Sequence, residues 1–172
     1  MTNLGIRMLP VLDPPWTRME PVRLGAVPSG LGTAHRFVTV EADGRPLLCA
    51  DLYGRDEAFI SESACSWSRF VVIGWGHHVY LVDPQTRAHM TLDLGYYFMR
   101  LYPLHDRMLI ASAQRLFCLG ADGVVRWRSA ELGEDGVEVT HIDNRTIRGR
   151  GDWDPPGGYR PFQISLHTGQ RM

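Results

Sequence analysis

The sequence predicts an all-β, antiparallel chain, and three observations carry that prediction. Helical periodicity is nearly absent along its 172 residues. The apolar runs are short and rich in Val, Ile, Leu, Phe and Tyr. Clusters of Gly, Pro, Asp and Asn interrupt them roughly every 8 to 12 residues, the spacing of short strands and tight turns.

The elements follow in chain order. Residues 1–35 carry Pro10, Pro14, Pro15, Pro21 and Pro28 and read as a Pro-rich extended arm laid over the domain. Residues 36–172 read as the repeat-like β core of the same single domain, 1–172. Strands are expected at Arg36–Ala42 and Pro46–Tyr53, joined by Asp43-Gly44, a dipeptide suited to a two-residue hairpin turn. Phe70–Ile73, Val79–Val82, His89–Leu94, Phe98–Tyr102 and Met108–Ser112 come next. Arg115–Leu119 and Val124–Arg128 flank a second hairpin signal, Asp122-Gly123. Val137–Ile142, Arg145–Arg150 and Pro161–Leu166 complete the set. The expected core takes alternate residues of these runs, among them Val38, Val40, Leu109, Ala111, Phe117, Leu119, Val125, Trp127, Ile164 and Leu166.

Three of the runs superpose. Phe70-Val71-Val72-Ile73-Gly74 precedes a strand ending in Asp83-Pro84-Gln85-Thr86, and Met108-Leu109-Ile110-Ala111-Ser112 precedes one ending in Gly120-Ala121-Asp122-Gly123. Thr146-Ile147-Arg148-Gly149 precedes one ending in His167-Thr168-Gly169, so that Val71, Leu109 and Ile147 stand 38 residues apart. A repeat of strand, strand and polar turn near 40 residues is the pattern of propeller blades. These units resemble the repeats of PQQ-type β-propellers, in which a strand ending in Asp-x-x-Thr-Gly is followed by one bearing Trp. The resemblance covers about residues 68 to 172. It departs at Arg87, where the family has Gly, and at the first position of His167-Thr168-Gly169; Trp127 alone follows its turn as in the family. It implies blade-like sheets and carries over no quinone-binding residue, so no cofactor is expected.

Twelve strands at about four per blade make three blades, fewer than the four to eight of closed propellers. An open arc leaves unpaired edges, which proteins cover or abolish. The expectation is therefore a small curved or sandwich-like assembly of propeller-blade-like repeats, with the N-terminal arm shielding an edge. A homodimer that completes the ring is the other solution.

Composition excludes several function classes. All 18 basic residues are Arg, against 19 acidic ones. Without Lys there is no Schiff-base chemistry, no lysine general base and no lysine-bearing phosphate loop. The net charge of −1 gives no basic excess for nucleic acid or an anionic membrane surface. Arg7 and Pro10 interrupt the N-terminal apolar stretch before a signal-peptide core forms. The longest uncharged, largely apolar run, Phe70 to Val82, falls short of the roughly 20 residues of a membrane span. The expectation is a soluble, cytoplasmic protein. Cys49 and Cys118 lie in apolar runs and read as core residues, whereas Cys65 lies in a polar stretch; no CxxC exists for zinc.

Catalytic and metal motifs fail in turn. Gly25-Ala26-Val27-Pro28-Ser29-Gly30 has Walker-type glycine spacing, but Leu31-Gly32 stand where Lys and Ser or Thr are required. Gly74-Trp75-Gly76 and Gly149-Arg150-Gly151 lack the third glycine of a dinucleotide loop. Among seven histidines, His77 and His78 are adjacent and would point to opposite faces of a strand. No nucleophile elbow is present. The chain is expected not to be an enzyme and to hold no metal.

Two surface features remain. Asp152-Trp153-Asp154-Pro155-Pro156-Gly157-Gly158-Tyr159-Arg160-Pro161 reads as a loop bearing the residue types of binding hot spots, with Trp153 either exposed or folded back as a core plug. Glu131, Glu134, Asp135 and Glu138 form an acidic segment between the basic pairs Arg126/Arg128 and Arg148/Arg150. It reads either as a solvated face of exposed ion pairs or as a docking surface for a basic partner. Lys-free, all-β chains of this size without a catalytic motif resemble in type the immunity proteins that bacteria make against their toxins. That resemblance implies a protein-binding module that occludes a basic toxin domain. The partner site is then Glu131, Glu134, Asp135, Glu138, Asp152, Trp153, Asp154, Tyr159 and Arg160. The alternatives are a self-assembling structural β-repeat, and a small-ligand-binding or enzymatic β domain with convergent His and Asp in a cleft.

Overall fold

The structure, a computed structural model, describes residues 4–54 and 61–172. Among these residues there is no α-helix, and the one helical turn is a 3-10 turn at Trp16–Arg18. The strands form four sheets. The first contains β1 (Leu4–Leu9), β2 (Val22–Gly25), β3 (Arg36–Ala42) and β4 (Arg45–Tyr53) in the order β1-β3-β4-β2. The second is a meander of β5 (Ser63–Trp67), β6 (Phe70–Trp75), β7 (His78–Val82) and β8 (His89–Asp93). The third is a meander of β9 (Phe98–Pro103), β10 (Arg107–Ser112), β11 (Leu116–Gly120) and β12 (Val125–Arg128). The fourth has three strands, β13 (Gly136–Ile142), β14 (Thr146–Trp153) and β15 (Gly158–Ser165).

The sheets stack face to face in sequence, and three apolar layers hold them. Val38, Val40, Leu48 and Leu52 of the first meet Val71, Ile73 and Tyr80 of the second. Val72, Leu81 and Phe70 meet Phe98, Met108 and Ile110 of the third. Leu109, Leu116 and Cys118 then meet Val137, Ile147, Phe162 and Ile164 of the fourth. Each central strand is thus apolar on both faces: β6, β10 and β11 read as unbroken hydrophobic runs, and all their residues but Arg107 are buried. Two indoles pin neighbouring sheets together. Trp67 donates to the Leu104 carbonyl at 2.8 Å and Trp127 to the Leu166 carbonyl at 3.1 Å.

The fold is all-β and built of blade-like sheets that are antiparallel apart from the β2–β4 pair, as the sequence predicts in outline. The first 35 residues differ from an arm laid over a core, because β1 and β2 are strands of the first sheet itself. β1 pairs antiparallel with β3, placing Ile6 opposite Val40 and Met8 opposite Val38. β2 pairs parallel with β4 at the other edge. Residues 10–21 join these two edges, and Trp16 within them is buried. Val38 and Val40 face the second sheet, so Thr39 and Cys49, which are also buried, belong to the other face of the first sheet.

The turns use side-chain acceptors in place of strand partners. Asp83 accepts the amides of Gln85 and Thr86, and Arg87 takes the positive φ of 63° that the PQQ-type repeat gives to Gly. Ser165 accepts the amides of His167 and Thr168 in the same manner, with Gly169 at φ 68°. The second turn is therefore Ser-x-x-Thr-Gly, with Ser165 in the place of the family's Asp. Val125 departs from expectation: the β11–β12 register slips beside it, and the side chain is 40% exposed rather than core.

Candidate functional site

The β14–β15 hairpin and the segment before β13 assemble most of the expected partner residues at one corner. Residues 152–161 are a hairpin rather than a loop: β14 runs on through Trp153, β15 begins at Gly158, and the two pair in register to the turn. Asp152 stands opposite Tyr159 and Gly151 opposite Arg160. The preceding chain crosses β14 at Gly151, where a Cβ would fall 1.7 Å from the Leu132 carbonyl, so only glycine fits there. That crossing delivers Glu134 and Asp135 to the hairpin, and both their amides donate to the Asp152 carbonyl, at 2.7 and 3.2 Å. The Glu134 carboxylate accepts the Asp154 amide at 3.0 Å.

Carboxylates consequently crowd around one point. Asp135 shares a hydrogen bond with the Asp154 side chain, and this contact, with the charges of Asp154, Asp152 and Glu134, lifts its carboxyl above the ordinary range. Tyr97, whose hydroxyl donates to the Asp135 carbonyl at 2.9 Å, is raised chiefly by burial and then by Asp135 and Asp152. Beside the cluster Arg150 pairs with Glu138 at 2.6 Å and lies over the Tyr159 ring at 4.6 Å. Arg160 lies over the Trp153 ring at 5.6 Å. Tyr159 is 63% exposed. Trp153 is half-buried, so it is neither a fully buried plug nor a free side chain.

Asp135, Glu138, Asp152 and Tyr159 line a cleft of about 310 Å³ together with Met99, Arg100, Tyr102 and Arg150. Glu131 stands apart, paired with Arg115 of the third sheet at 2.5 Å. Sequence reasoning missed the wall from β9, since nothing in the sequence shows that β9 lies beside β13. It also missed Arg150 as a site residue, although strand alternation opposite Glu138 offered that signal.

A second cleft, of about 390 Å³, lies where the first two sheets meet. His77 and His78 both line it, contrary to the expectation that adjacent histidines cannot share a site. His77 sits in the turn before β7 rather than in a strand, so the alternation rule does not apply to it. Asp93, opposite His78 on β8, lines the same cleft. Among the described residues, no group of three or more His, Cys, Asp or Glu is placed to hold a metal ion. No helix among them is long and apolar enough to cross a membrane.

No protein-family profile and no curated protein matches the chain. Its fold is similar to the crystal structure of BamB from Moraxella catarrhalis, with a TM-score of 0.53 at 13% sequence identity. The likeness covers 90% of this chain and 48% of that one, so the chain spans about half the length of the solved structure it matches. At that identity the likeness concerns fold, and what it supports is a distant β-propeller resemblance.

Proposed function

We propose that this chain is a protein-binding β module without catalytic activity, acting in the cytoplasm as an immunity-type inhibitor that covers a basic surface of a toxin. The observation that supports it best is the crowding of Glu134, Asp135, Asp152 and Asp154 against a shared backbone, next to an exposed Tyr159. Four carboxylates held this close repel one another unless a cation approaches, so a partner's Arg or Lys side chains gain from docking there. Tyr159 and the half-buried Trp153 offer the apolar contact area that charge alone lacks. The backbone of the hairpin is fixed by strand pairing, so little ordering is left for binding to accomplish.

The test is capture from the source cells with wild-type protein and with an Asp135→Arg/Asp154→Arg variant as parallel baits. A basic protein retained by the wild type in low salt, released by high salt and absent from the variant supports the reading. Equal recovery on both baits, or no partner on either, would overturn it.

A further inference from the structure

The rim of the seam between the second and third sheets carries an exposed apolar patch. β8 and β12 are edge strands, and the turn before β12 brings them together, since a Cβ on Gly123 would collide with the Met90 methyl. Met90 stands opposite Leu81 and Leu92 opposite Val79, so both side chains face the third sheet. Val125 stands opposite Leu119 and Arg128 opposite Phe117, so both face the second. Met90 and Val125 are each 40% exposed, and Val124 in the turn is 52% exposed. The other face of β12 is closed: Trp127 covers the seam toward the fourth sheet and donates its indole N–H to the Leu166 carbonyl. Toward the second sheet β12 offers only Val125, beside a register slip, and Arg128.

The charge at this rim is positive. Arg128 is exposed and makes no ion pair among the described residues. Arg69, also exposed, lies over the Phe70 ring at 4.9 Å. The neighbouring carboxylates are already engaged. Asp122 accepts the Val124 amide and pairs with Arg126, and Asp83 accepts the amides of Gln85 and Thr86.

We propose that this rim receives the acidic corner of a second copy, so that chains associate head to tail. The corner carries what the rim lacks. Glu134, Asp135, Asp152 and Asp154 complement the guanidinium groups of Arg69 and Arg128. Tyr159 and Trp153 supply the rings that cover Met90, Val124 and Val125. The two surfaces lie on opposite sides of the third sheet, the rim toward the second and the corner toward the fourth. A chain therefore does not fill its own rim, and a contact between unlike patches leaves one of each free for the next copy. The inference rests on the corner's attraction for cations, which the proposed function also uses, and it makes a toxin and a second copy competitors for that corner.

The test is sedimentation equilibrium of the full chain in low salt, at loadings from the micromolar to the millimolar range. Two variants run beside it, Val125→Glu/Arg128→Glu at the rim and Asp135→Arg/Asp154→Arg at the corner. Circular dichroism checks that each folds, and Asp135→Asn/Asp154→Asn replaces the second if charge reversal prevents folding. The wild-type weight-average mass is expected to climb past that of a dimer with concentration and to return to the monomer in high salt. Each variant alone should stay monomeric. An equimolar mixture of the two should give dimers and nothing larger, because one intact rim then meets one intact corner. A wild type that stays monomeric, variants that associate like the parent, or a mixture that stays monomeric would overturn the proposal. The rim variant keeps its corner, so its failure to capture a basic protein from cells would count against the inhibitor reading and not against this contact.

Discussion

Leu109 and Ile110 are neighbours in β10 and both are fully buried, yet they hold different layers together. Leu109 packs in the layer shared by the third and fourth sheets, with Leu132, Val137, Ile147 and Phe162. Ile110 packs in the layer shared by the second and third, with Val72, Leu81 and Phe98. Leu109→Ala removes three carbons, a transfer loss of roughly 2.4 kcal/mol at about 0.8 per carbon. A residual void of about 60 Å³ adds about 1.4 kcal/mol at roughly 24 cal/mol per Å³. The sum, about 4 kcal/mol, corresponds to a fall in melting temperature of about 8 to 16 °C for a chain of this length. The fourth sheet ends the stack, so its amides should lose hydrogen-exchange protection first, while β5–β8 keep theirs. Ile110→Ala should cost a similar amount but expose the second and third sheets together. Identical exchange maps for the two variants would refute the assignment of faces. A Leu109→Ala chain within about 0.5 kcal/mol of Val125→Ala, a change at an exposed position, would refute the layer itself.

Three further outcomes follow from local chemistry. Asp135 holds its proton more tightly folded than unfolded, so its ionised form lowers stability once the pH exceeds the raised folded pKa. Asp135→Asn should therefore raise the melting temperature at neutral pH, with the gain vanishing below the ordinary carboxyl range; a loss at neutral pH would contradict the crowding. Asp143 is the opposite case, held down to about 2 by the Thr146 hydroxyl and the amides of Arg145 and Thr146. Its stabilisation is present above the unfolded carboxyl pKa and is lost as pH falls toward 2, so Asp143→Asn should melt lower at pH 7 and converge with wild type in acid. A pH-independent difference would exclude the ionised contact as its cause. Pro161→Thr restores an N–H on the outer edge of β15, where among the described residues only the end of the strand pairs, through Gln170–Met172. It should make the chain self-associate in sedimentation velocity at concentrations where the parent does not, since proline is one of the devices that blunt an open edge.

The strands were legible in the sequence wherever alternation or a continuous apolar run was bounded by Asp-Gly or Pro. β1 was hidden although Leu4, Ile6 and Met8 alternate, because the prolines that follow dominate the composition of the segment. β5 was hidden because Ser63 and Ser66 make it polar, and only pairing with β6 fixes it as a strand. The 38-residue spacing located the second strand of three successive sheets but not its facing. Val71 and Ile147 point back toward the preceding sheet, while Leu109 points forward to the next. A repeat with period two along each strand turns a one-residue offset into the opposite face. At the candidate site, Glu138 beside Arg150 was readable from strand alternation. The meeting of Glu134 and Asp135 with Asp154 was not, since it depends on a chain crossing at Gly151.

An arc of stacked sheets has two outward faces, and each must be covered or polar for the chain to stay in solution. On the first sheet's outer face Thr39 and Cys49 are buried. The fourth sheet presents Glu138, Thr140, Arg148, Arg150 and Gln163 outward, all exposed, with Glu138 and Arg150 paired. What this architecture leaves concave are the seams between neighbouring sheets, and the two clefts lie at such seams: one acidic at the corner of β13 and β14, one aromatic beside Tyr80.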